Sequence, residues 1–348
     1  MKILVSAAKT GGHIFPAIAV GNEIARLGHE VVFMGTGEPI EVDALKTAEF
    51  KHFAVTMEGF RGKNFFNKIK SLLLIPKSIF STTRIIRKEN IDAMVGFGGF
   101  ITVPIGLAFF LSRKPIFIHE QNSILGSANK LLSKIATINF TAFPLNTRIE
   151  NNIICGNPIR ESFKSFSKEV VNDELIKIYI TGGSQGAEYL NTELPKSLKK
   201  FKHQVIIKHQ CGKDKKDLVN DLYKRFNMNA EVMEFYNSPE SEIEWSDFVI
   251  SRSGALTISE VTSMSKGLLM IPLPSSIDNH QFYNAKHIEK INMGLIHEQK
   301  DGFEDLSTKL EEILHQKTYN KWKNNLNTDH LLSAANIANQ VLKNIDTT

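Results

Sequence analysis

Two short glycine-rich stretches carry residue types suited to holding phosphate: Thr10-Gly11-Gly12-His13 near the start of the chain and Gly182-Gly183-Ser184-Gln185-Gly186-Ala187 past its middle. Glycines let the backbone approach an anion closely, and the N–H groups that open a following helix add positive potential. Two such turns in one chain imply two phosphorylated ligands. A third set, Ser251-Arg252-Ser253-Gly254-Ala255-Leu256-Thr257-Ile258-Ser259-Glu260, opens a helix with small residues and offers the N–H groups of Ala255, Leu256 and Thr257 to a ligand. Glu260, about one turn further in, is of the type that accepts two hydrogen bonds from vicinal sugar hydroxyls. Taken singly, these serines and this glutamate read as helix capping. Taken with the Ser184 turn and with Asp278-Asn279-His280-Gln281 after Pro272 and Pro274, they read as three polar loops lining one cleft.

Such loops need strands and helices to place them. The first turn follows Ile3, Leu4 and Val5 and leads into a helix with Pro16 at its start, an apolar face including Val20, Ile24 and Leu27, and Gly28 at its end. Strands are expected at Val31 to Met34, Ala93 to Phe97 and Pro115 to Ile118, the last two running into Gly98-Gly99 and His119-Glu120-Gln121-Asn122. The rhythm breaks at Cys155-Gly156-Asn157-Pro158-Ile159-Arg160, which sets a domain boundary near residue 158. It restarts with Ile178, Tyr179 and Ile180 before the second turn. Further strands are expected at Gln204 to Lys208, Ala230 to Met233, Phe248 to Ile250 and Leu268 to Ile271. This alternation is that of an α/β chain with parallel sheets, whose ligand-binding residues gather at the carboxyl ends of the strands.

A chain of 348 residues suits two domains, each large enough to bury its own core. Only Cys155 and Cys211 are present, far apart, which argues against a disulfide framework or a zinc site and for a reducing cytosol. The apolar run after Lys2 passes straight into the glycine turn and so reads as a strand, not as a secretion signal. The longest apolar stretch, Ile101 to Leu111, is about half the length a spanning helix needs.

Charge is uneven. Residues 1–157 hold 18 Lys and Arg against 11 Asp and Glu, whereas the remainder holds 24 against 26. Between Phe60 and Asn90 eight cations, Arg61, Lys63, Lys68, Lys70, Lys77, Arg84, Arg87 and Lys88, face the single acid Glu89. Interleaved with them are Phe65, Phe66, Ile69, Leu72 and Leu73, the pattern of a peripheral surface that inserts apolar side chains while cations attract anionic lipid. A core-facing amphipathic helix with a solvated basic side is the plainer reading. A nucleic-acid patch is disfavoured, since no nucleic-acid module accompanies the segment.

The sequence resembles the MurG family of bacterial N-acetylglucosaminyltransferases. The residues that carry the resemblance are TGGHIFPAIAV from Thr10, GFGGF from Gly96, HEQN from His119, GNPIR from Gly156, GGSQGA from Gly182, SRSGALTISE from Ser251 and the proline-rich loop ending in DNHQFYNA, in order across nearly the whole chain. The resemblance implies two Rossmann-like parallel-sheet domains facing a central cleft, the GT-B arrangement. Residues 1–157, joined by a C-terminal helix over 331–345, would receive the lipid-linked acceptor (lipid I), and residues 158–330 the donor UDP-GlcNAc. It implies inverting transfer of GlcNAc to the 4-hydroxyl of MurNAc, giving lipid II for peptidoglycan synthesis, and with it a part in cell shape and division. The place implied is the cytoplasmic face of the cell membrane, beside other cell-wall synthesis proteins.

By that likeness Ser184 faces the donor diphosphate, Glu260 the ribose and the backbone near Tyr236 the uracil. Thr10, Gly11, Gly12, Asn122, Arg160, Gln281 and the helix start from Ala255 through Ser259 complete the donor contacts. Lys9, Glu120 and Gln121 are assigned to the acceptor, and His13 either activates its 4-hydroxyl or contacts its diphosphate. An inverting transfer needs such a base and stabilisation of departing UDP. No Asp-X-Asp pair ends a strand, so helix termini would carry that charge and a divalent cation is not obligatory.

Three rivals remain. A UDP-GlcNAc 2-epimerase shares the architecture, but the basic, apolar 60–90 segment argues against a soluble sugar as the only substrate. A nicotinamide enzyme is disfavoured because neither turn reads GxGxxG with an acid about 20 residues on. A non-catalytic UDP-sugar-binding relative draws support from Ala7, Ala8 and Lys9, which stand in a loop where the family usually has glycine.

Overall fold

Seven strands form the first sheet: β1 (Lys2–Ser6), β2 (Glu30–Gly35), β3 (Lys51–Ala54), β4 (Ala93–Gly96), β5 (Ile116–Glu120), β6 (Ile138–Thr141) and β7 (Asn152–Ile154). They lie in the order β3-β2-β1-β4-β5-β6-β7, every pair parallel. The computed structural model describes residues 1–345 apart from Lys9, Thr47, Glu49, Thr56, 58–64, 165–173, Ser184 and 326–327; the side chains of residues 65–73 also lie outside the description.

A parallel sheet is covered on both faces, and its strands are correspondingly apolar throughout. Alternate residues of β1 show the two layers. Ile3 and Val5 join Ile14, Val20 and Ile24 on one side, while Leu4 between them joins Met94, Ile105 and Phe109 on the other. The first layer is closed by the C-terminal helix Asp329–Ile345, whose Ala334, Ile337, Ala338 and Val341 are buried against it.

The second sheet holds β8 (Ile176–Thr181), β9 (Val205–Gln210), β10 (Ala230–Met233), β11 (Phe248–Ser251), β12 (Gly267–Met270) and β13 (Gly294–Ile296) in the order β10-β9-β8-β11-β12-β13, again all parallel. Ile178 and Ile180 pack with Leu190, Leu194, Leu306 and Leu310 from helices Glu188–Leu198 and Gly302–His315. Strand order reverses between β1 and β4 in one sheet and between β8 and β11 in the other. Both glycine turns therefore stand at the switch points where open α/β sheets bind ligands.

The chain divides into Met1–Arg160 with the stretch from Asp329, and Glu161–Thr328. The cut falls after Arg160 instead of 157, with Arg160 stacked on Phe15 of the first unit and the loop before it bonded there. Gly156 C=O accepts from His119 Nε2 at 2.9 Å and from the Ser333 hydroxyl at 2.9 Å, and Asn157 N–H donates to His330 Nδ1 at 2.8 Å.

The first helix, Gly11–Arg26, departs from expectation at both ends. It begins before Pro16, because the Thr10 carbonyl already accepts from His13 and Ile14 N–H. Pro16 merely lacks an N–H to give to Gly12. Its C-terminus closes with Gly28 at φ +84, Gly28 N–H on Ala25 C=O and His29 N–H on Ile24 C=O, a paired closure that leaves Leu27 44% exposed instead of on the apolar face.

Candidate active site

In the second unit a cavity of about 860 Å³ opens at the carboxyl ends of β8 and β11. Its wall includes Gly182, Gly183 and Gly186 of the glycine turn, Arg252 and Gly254 after β11, and Gln281. Close backbone packing explains the turn. A Cβ on Gly182 would lie 2.4 Å from Ala187 N, and one on Gly186, at φ +68, would lie 2.0 Å from the Cys211 carbonyl oxygen. Gly183, at φ +79, would meet no atom within 4 Å. Its glycine serves the left-handed conformation and leaves room on the cavity side. Gln210 braces the turn, donating through Nε2 to Gly183 C=O at 3.0 Å while its Oε1 accepts Tyr236 N–H at 3.1 Å.

Opposite stands the start of helix Ala255–Ser263, capped by Gly254 in extended conformation. The first intrahelical bond joins Ile258 N–H to Gly254 C=O, so the N–H groups of Ala255, Leu256 and Thr257 precede the ladder. Gln281 staples the surrounding loops, its Oε1 accepting Leu273 N–H at 2.9 Å and Ser253 N–H at 3.3 Å. Arg252, part of the Ser251–Glu260 set but given no role from sequence, reaches across the cavity wall to Ile271 C=O at 3.0 Å and Gln299 Oε1 at 2.8 Å. Burial lowers its pKa.

Several expected contacts sit elsewhere. Ile258 and Ser259 are fully buried, and the Ser259 hydroxyl donates to Ala255 C=O at 2.8 Å, so both serve the helix instead of facing the cavity. Glu260 is 6% exposed and is not among the residues lining this cavity. The Tyr236 amide is engaged by Gln210, and its phenol donates to Glu231 Oε1 at 3.0 Å. Ser184 lies outside the described residues.

In the first unit the switch point is built around His13. Its Nδ1 lies 3.1 Å from Thr10 Oγ1 and 3.3 Å from the Ala8 carbonyl oxygen. In the tautomer that donates from Nδ1 to that carbonyl, Nε2 carries the lone pair of a base. Gly98, at φ +89 after β4, packs on the same ring: a Cβ there would stand 3.3 Å from His13 Nε2. Gly11 abuts Phe15, Thr10 and Gly12 are exposed, and Arg160 stacks its guanidinium over the Phe15 ring at 5.3 Å. Lys9 lies outside the described residues.

Glu120 and Gln121 are each 3% exposed and bonded inward. The Glu120 carboxylate accepts Asn122 N–H at 3.1 Å, Asn122 Nδ2 at 3.1 Å, Gly126 N–H at 2.9 Å and Asn129 Nδ2 at 2.8 Å. Gln121 Nε2 donates to Phe97 C=O at 3.0 Å. Their placement makes them the frame of the loop that carries Asn122, not ligand contacts themselves. His119 beside them is fully buried, and burial lowers its pKa to about 4 against the opposing bond to Gly156.

Ala7 and Ala8 are buried in the layers on either side of the sheet, and neither has positive φ. Alanine in this loop therefore incurs no left-handed strain. Among the described residues no three His, Cys, Asp or Glu side chains converge as metal ligands, and no helix is long and apolar enough to cross a membrane.

The glycosyltransferase family 28 N-terminal domain matches residues 3–141, and the family 28 C-terminal domain matches residues 177–341. The UDP-N-acetylglucosamine--N-acetylmuramyl-(pentapeptide) pyrophosphoryl-undecaprenol N-acetylglucosamine transferase of Pseudomonas aeruginosa is 34% identical over 323 residues, 91% of this chain and 90% of its own. The crystal structure of Acinetobacter baumannii MurG superposes with a TM-score of 0.83 at 28% identity, covering 98% of this chain and 99% of its own. A UDP-GlcNAc 2-epimerase from Neisseria meningitidis, at 14% identity and a TM-score of 0.69 over 99% of this chain and 100% of its own, shares the fold alone. The two-sheet architecture, the two family 28 domains and the extent of this identity together place the chain in the MurG family of N-acetylglucosamine transferases, to which it belongs.

Proposed function

We propose that this protein transfers N-acetylglucosamine from UDP-GlcNAc to the 4-hydroxyl of MurNAc in undecaprenyl-pyrophosphoryl-MurNAc-pentapeptide, forming lipid II with inversion. The observation that carries the reading is the cavity at the β8–β11 switch point, in a chain aligned over 91% of its length with a relative named for that transfer. The second unit takes the donor. Diphosphate sits between the glycine turn and the start of helix Ala255–Ser263, where N–H groups and Arg252 stabilise departing UDP. By the family likeness uridine extends past this cavity toward the β9–β10 side, to the backbone near Tyr236. The first unit takes the acceptor, and His13 Nε2 removes the proton of the attacking hydroxyl as the anomeric bond to UDP breaks.

Peripheral membrane binding belongs to this reading. Phe65, Phe66, Ile69, Leu72 and Leu73 have side chains outside the described residues, but the same helix, Phe65–Glu89, continues with Phe80, 73% exposed, between Lys77 and Arg84. It packs on helix Thr102–Leu111, which exposes Phe110 and Leu111 just before Arg113 and Lys114. Exposed apolar side chains flanked by cations suit an anionic lipid surface. Co-sedimentation with phosphatidylglycerol vesicles, weakened by salt and by Phe80→Ser with Leu111→Ser, is the expected result. Equal sedimentation with neutral vesicles removes this surface.

The deciding assay incubates the protein with labelled UDP-GlcNAc, with and without a lipid I analogue. Label in the lipid product supports the transferase; epimerised sugar without acceptor, or binding without turnover, overturns it.

A further inference from the structure

Tyr189 lines the cavity of the second unit from the first turn of helix Glu188–Leu198, and its hydroxyl is held from behind. The phenol oxygen lies 2.8 Å from His297 Nε2, and His297 Nδ1 lies 2.7 Å from Asp305 Oδ2. The two rings stack at 5.9 Å and 30°. His297 follows β13, its side chain is fully buried, and its N–H donates to Met270 C=O at 2.9 Å. Asp305, on helix Gly302–His315, also accepts from Lys309 Nζ at 2.7 Å. Tyr189 lies 108 positions from His297, which is 8 from Asp305, and none of the three belongs to a motif of the sequence analysis.

The chain of bonds has one direction. A carboxylate only accepts, so His297 donates through Nδ1–H, and when the ring carries that single proton Nε2 is a lone pair. The phenol must then donate to His297. Its proton points away from the cavity, and the oxygen that remains on the cavity side is an acceptor. Burial opposes ionisation of Asp305, but hydrogen bonds from His297 and Lys309 hold its carboxyl below the usual range; burial and Glu193 push the Tyr189 phenol up, so it stays protonated. An acceptor repels phosphate oxygens and suits an O–H or N–H of the ligand.

Strand order decides which part of a sugar nucleotide that is. Gln210 ends β9 and Tyr236 follows β10 on one side of the glycine turn, whereas His297 follows β13 at the opposite edge. With the nucleotide placed as proposed above, the hexose is the part that extends toward Tyr189.

We infer that Tyr189 is a specificity-determining contact for the donor hexose, its hydroxyl fixed as an acceptor by His297 and Asp305 acting as positioning residues. This rests on the donor reading of the cavity. Calorimetric titration of the full chain with UDP-GlcNAc and with UDP tests it. Tyr189→Phe keeps the ring and removes the acceptor, so it should weaken UDP-GlcNAc by about tenfold and leave UDP within about twofold. His297→Leu should reproduce that selective loss, and His297→Gln, whose amide oxygen can accept from the phenol, should restore it. Equal weakening of both ligands places the contact on the nucleotide and overturns the inference, as does no weakening at all. If the unmodified protein binds neither ligand, the donor reading itself fails; if it binds both and Tyr189→Phe is silent, only the role of Tyr189 fails.

Discussion

In the second unit the turn at the switch point is glycine packed on backbone: Gly186 against Cys211, Gly212 against Gln185, Gly182 against Ala187. In the first unit the corresponding bend is packed by side chains, with Ala7 and Ala8 buried under the sheet edge, Phe15 against Gly11 and the His13 ring against Gly98. One topology thus produces two kinds of turn at a switch point. The second offers a bare backbone and a cavity, suited to binding. The first offers an imidazole held at Nδ1 by Thr10 and the Ala8 carbonyl, suited to moving a proton.

The largest effect should come from breaking the first unit's half of that contrast. On the proposed mechanism His13→Ala removes the base that acts in the transition state, so kcat should fall by about 10²- to 10⁴-fold while both Michaelis constants change little. A rise in the donor Michaelis constant with kcat preserved would make His13 a binding group and the two turns alike in function.

Breaking the other half should cost stability. Gly186→Ala places a Cβ 2.0 Å from the Cys211 oxygen at φ +68. Backbone strain and overpacking together should destabilise the protein by about 2–4 kcal/mol. Chemical denaturation followed by fluorescence reads this in the right place, because both tryptophans, Trp245 and Trp322, belong to the second unit.

Acid separates the units by the same optical signal. His119 in the first unit is held near pKa 4 and His209 in the second near 3, both by burial, and His209 is bonded to Tyr223 at 2.9 Å and Asn191 at 3.1 Å. Because the folded pKa lies below the ordinary 6.5, the unfolded chain takes up the proton first. Stability is complete above about pH 6.5 and is lost as pH falls toward each folded pKa, by on the order of 3–5 kcal/mol per histidine at the limit. Tryptophan fluorescence should therefore report unfolding at a pH no lower than the loss of total helix signal by circular dichroism. The reverse order would mean that His119 governs acid stability.

What the sequence made legible follows from the same physics. Strands buried on both faces, such as β1, β4, β8 and β11, are continuous apolar runs and could be read directly. The edge strands β3 and β7 are mostly exposed, and β6 carries buried Asn139 and Thr141, so none of the three shows such a run. Glycine turns were legible because their chemistry is local. Tyr189 and Gln299 were not, because only the sheet order brings them to one cavity wall, and His297, buried behind Tyr189, belongs to no local motif. Conversely Glu120, Gln121 and Ser259 have the side chains of ligand contacts, and only burial reveals that they bond to their own loops and helix.

The smallest predicted effect sharpens the comparison most. Gly12 has the first unit's most open glycine among those of the two turns that lie in a helix: a Cβ there would meet only Thr10 Oγ1, at 3.9 Å, and φ is not positive. Nothing in the fold requires glycine, and alanine is the better helix former, so Gly12→Ala should leave stability unchanged or raise it by up to about 1 kcal/mol. That is opposite in sign to Gly186→Ala. If Gly12 is glycine because a ligand approaches its backbone, the same variant should raise a substrate Michaelis constant several-fold while melting no earlier. Unaltered kinetics in a protein as stable as the parent would mean that the first turn meets its ligand through His13 alone, and the contrast between a side-chain turn and a backbone turn would then be complete.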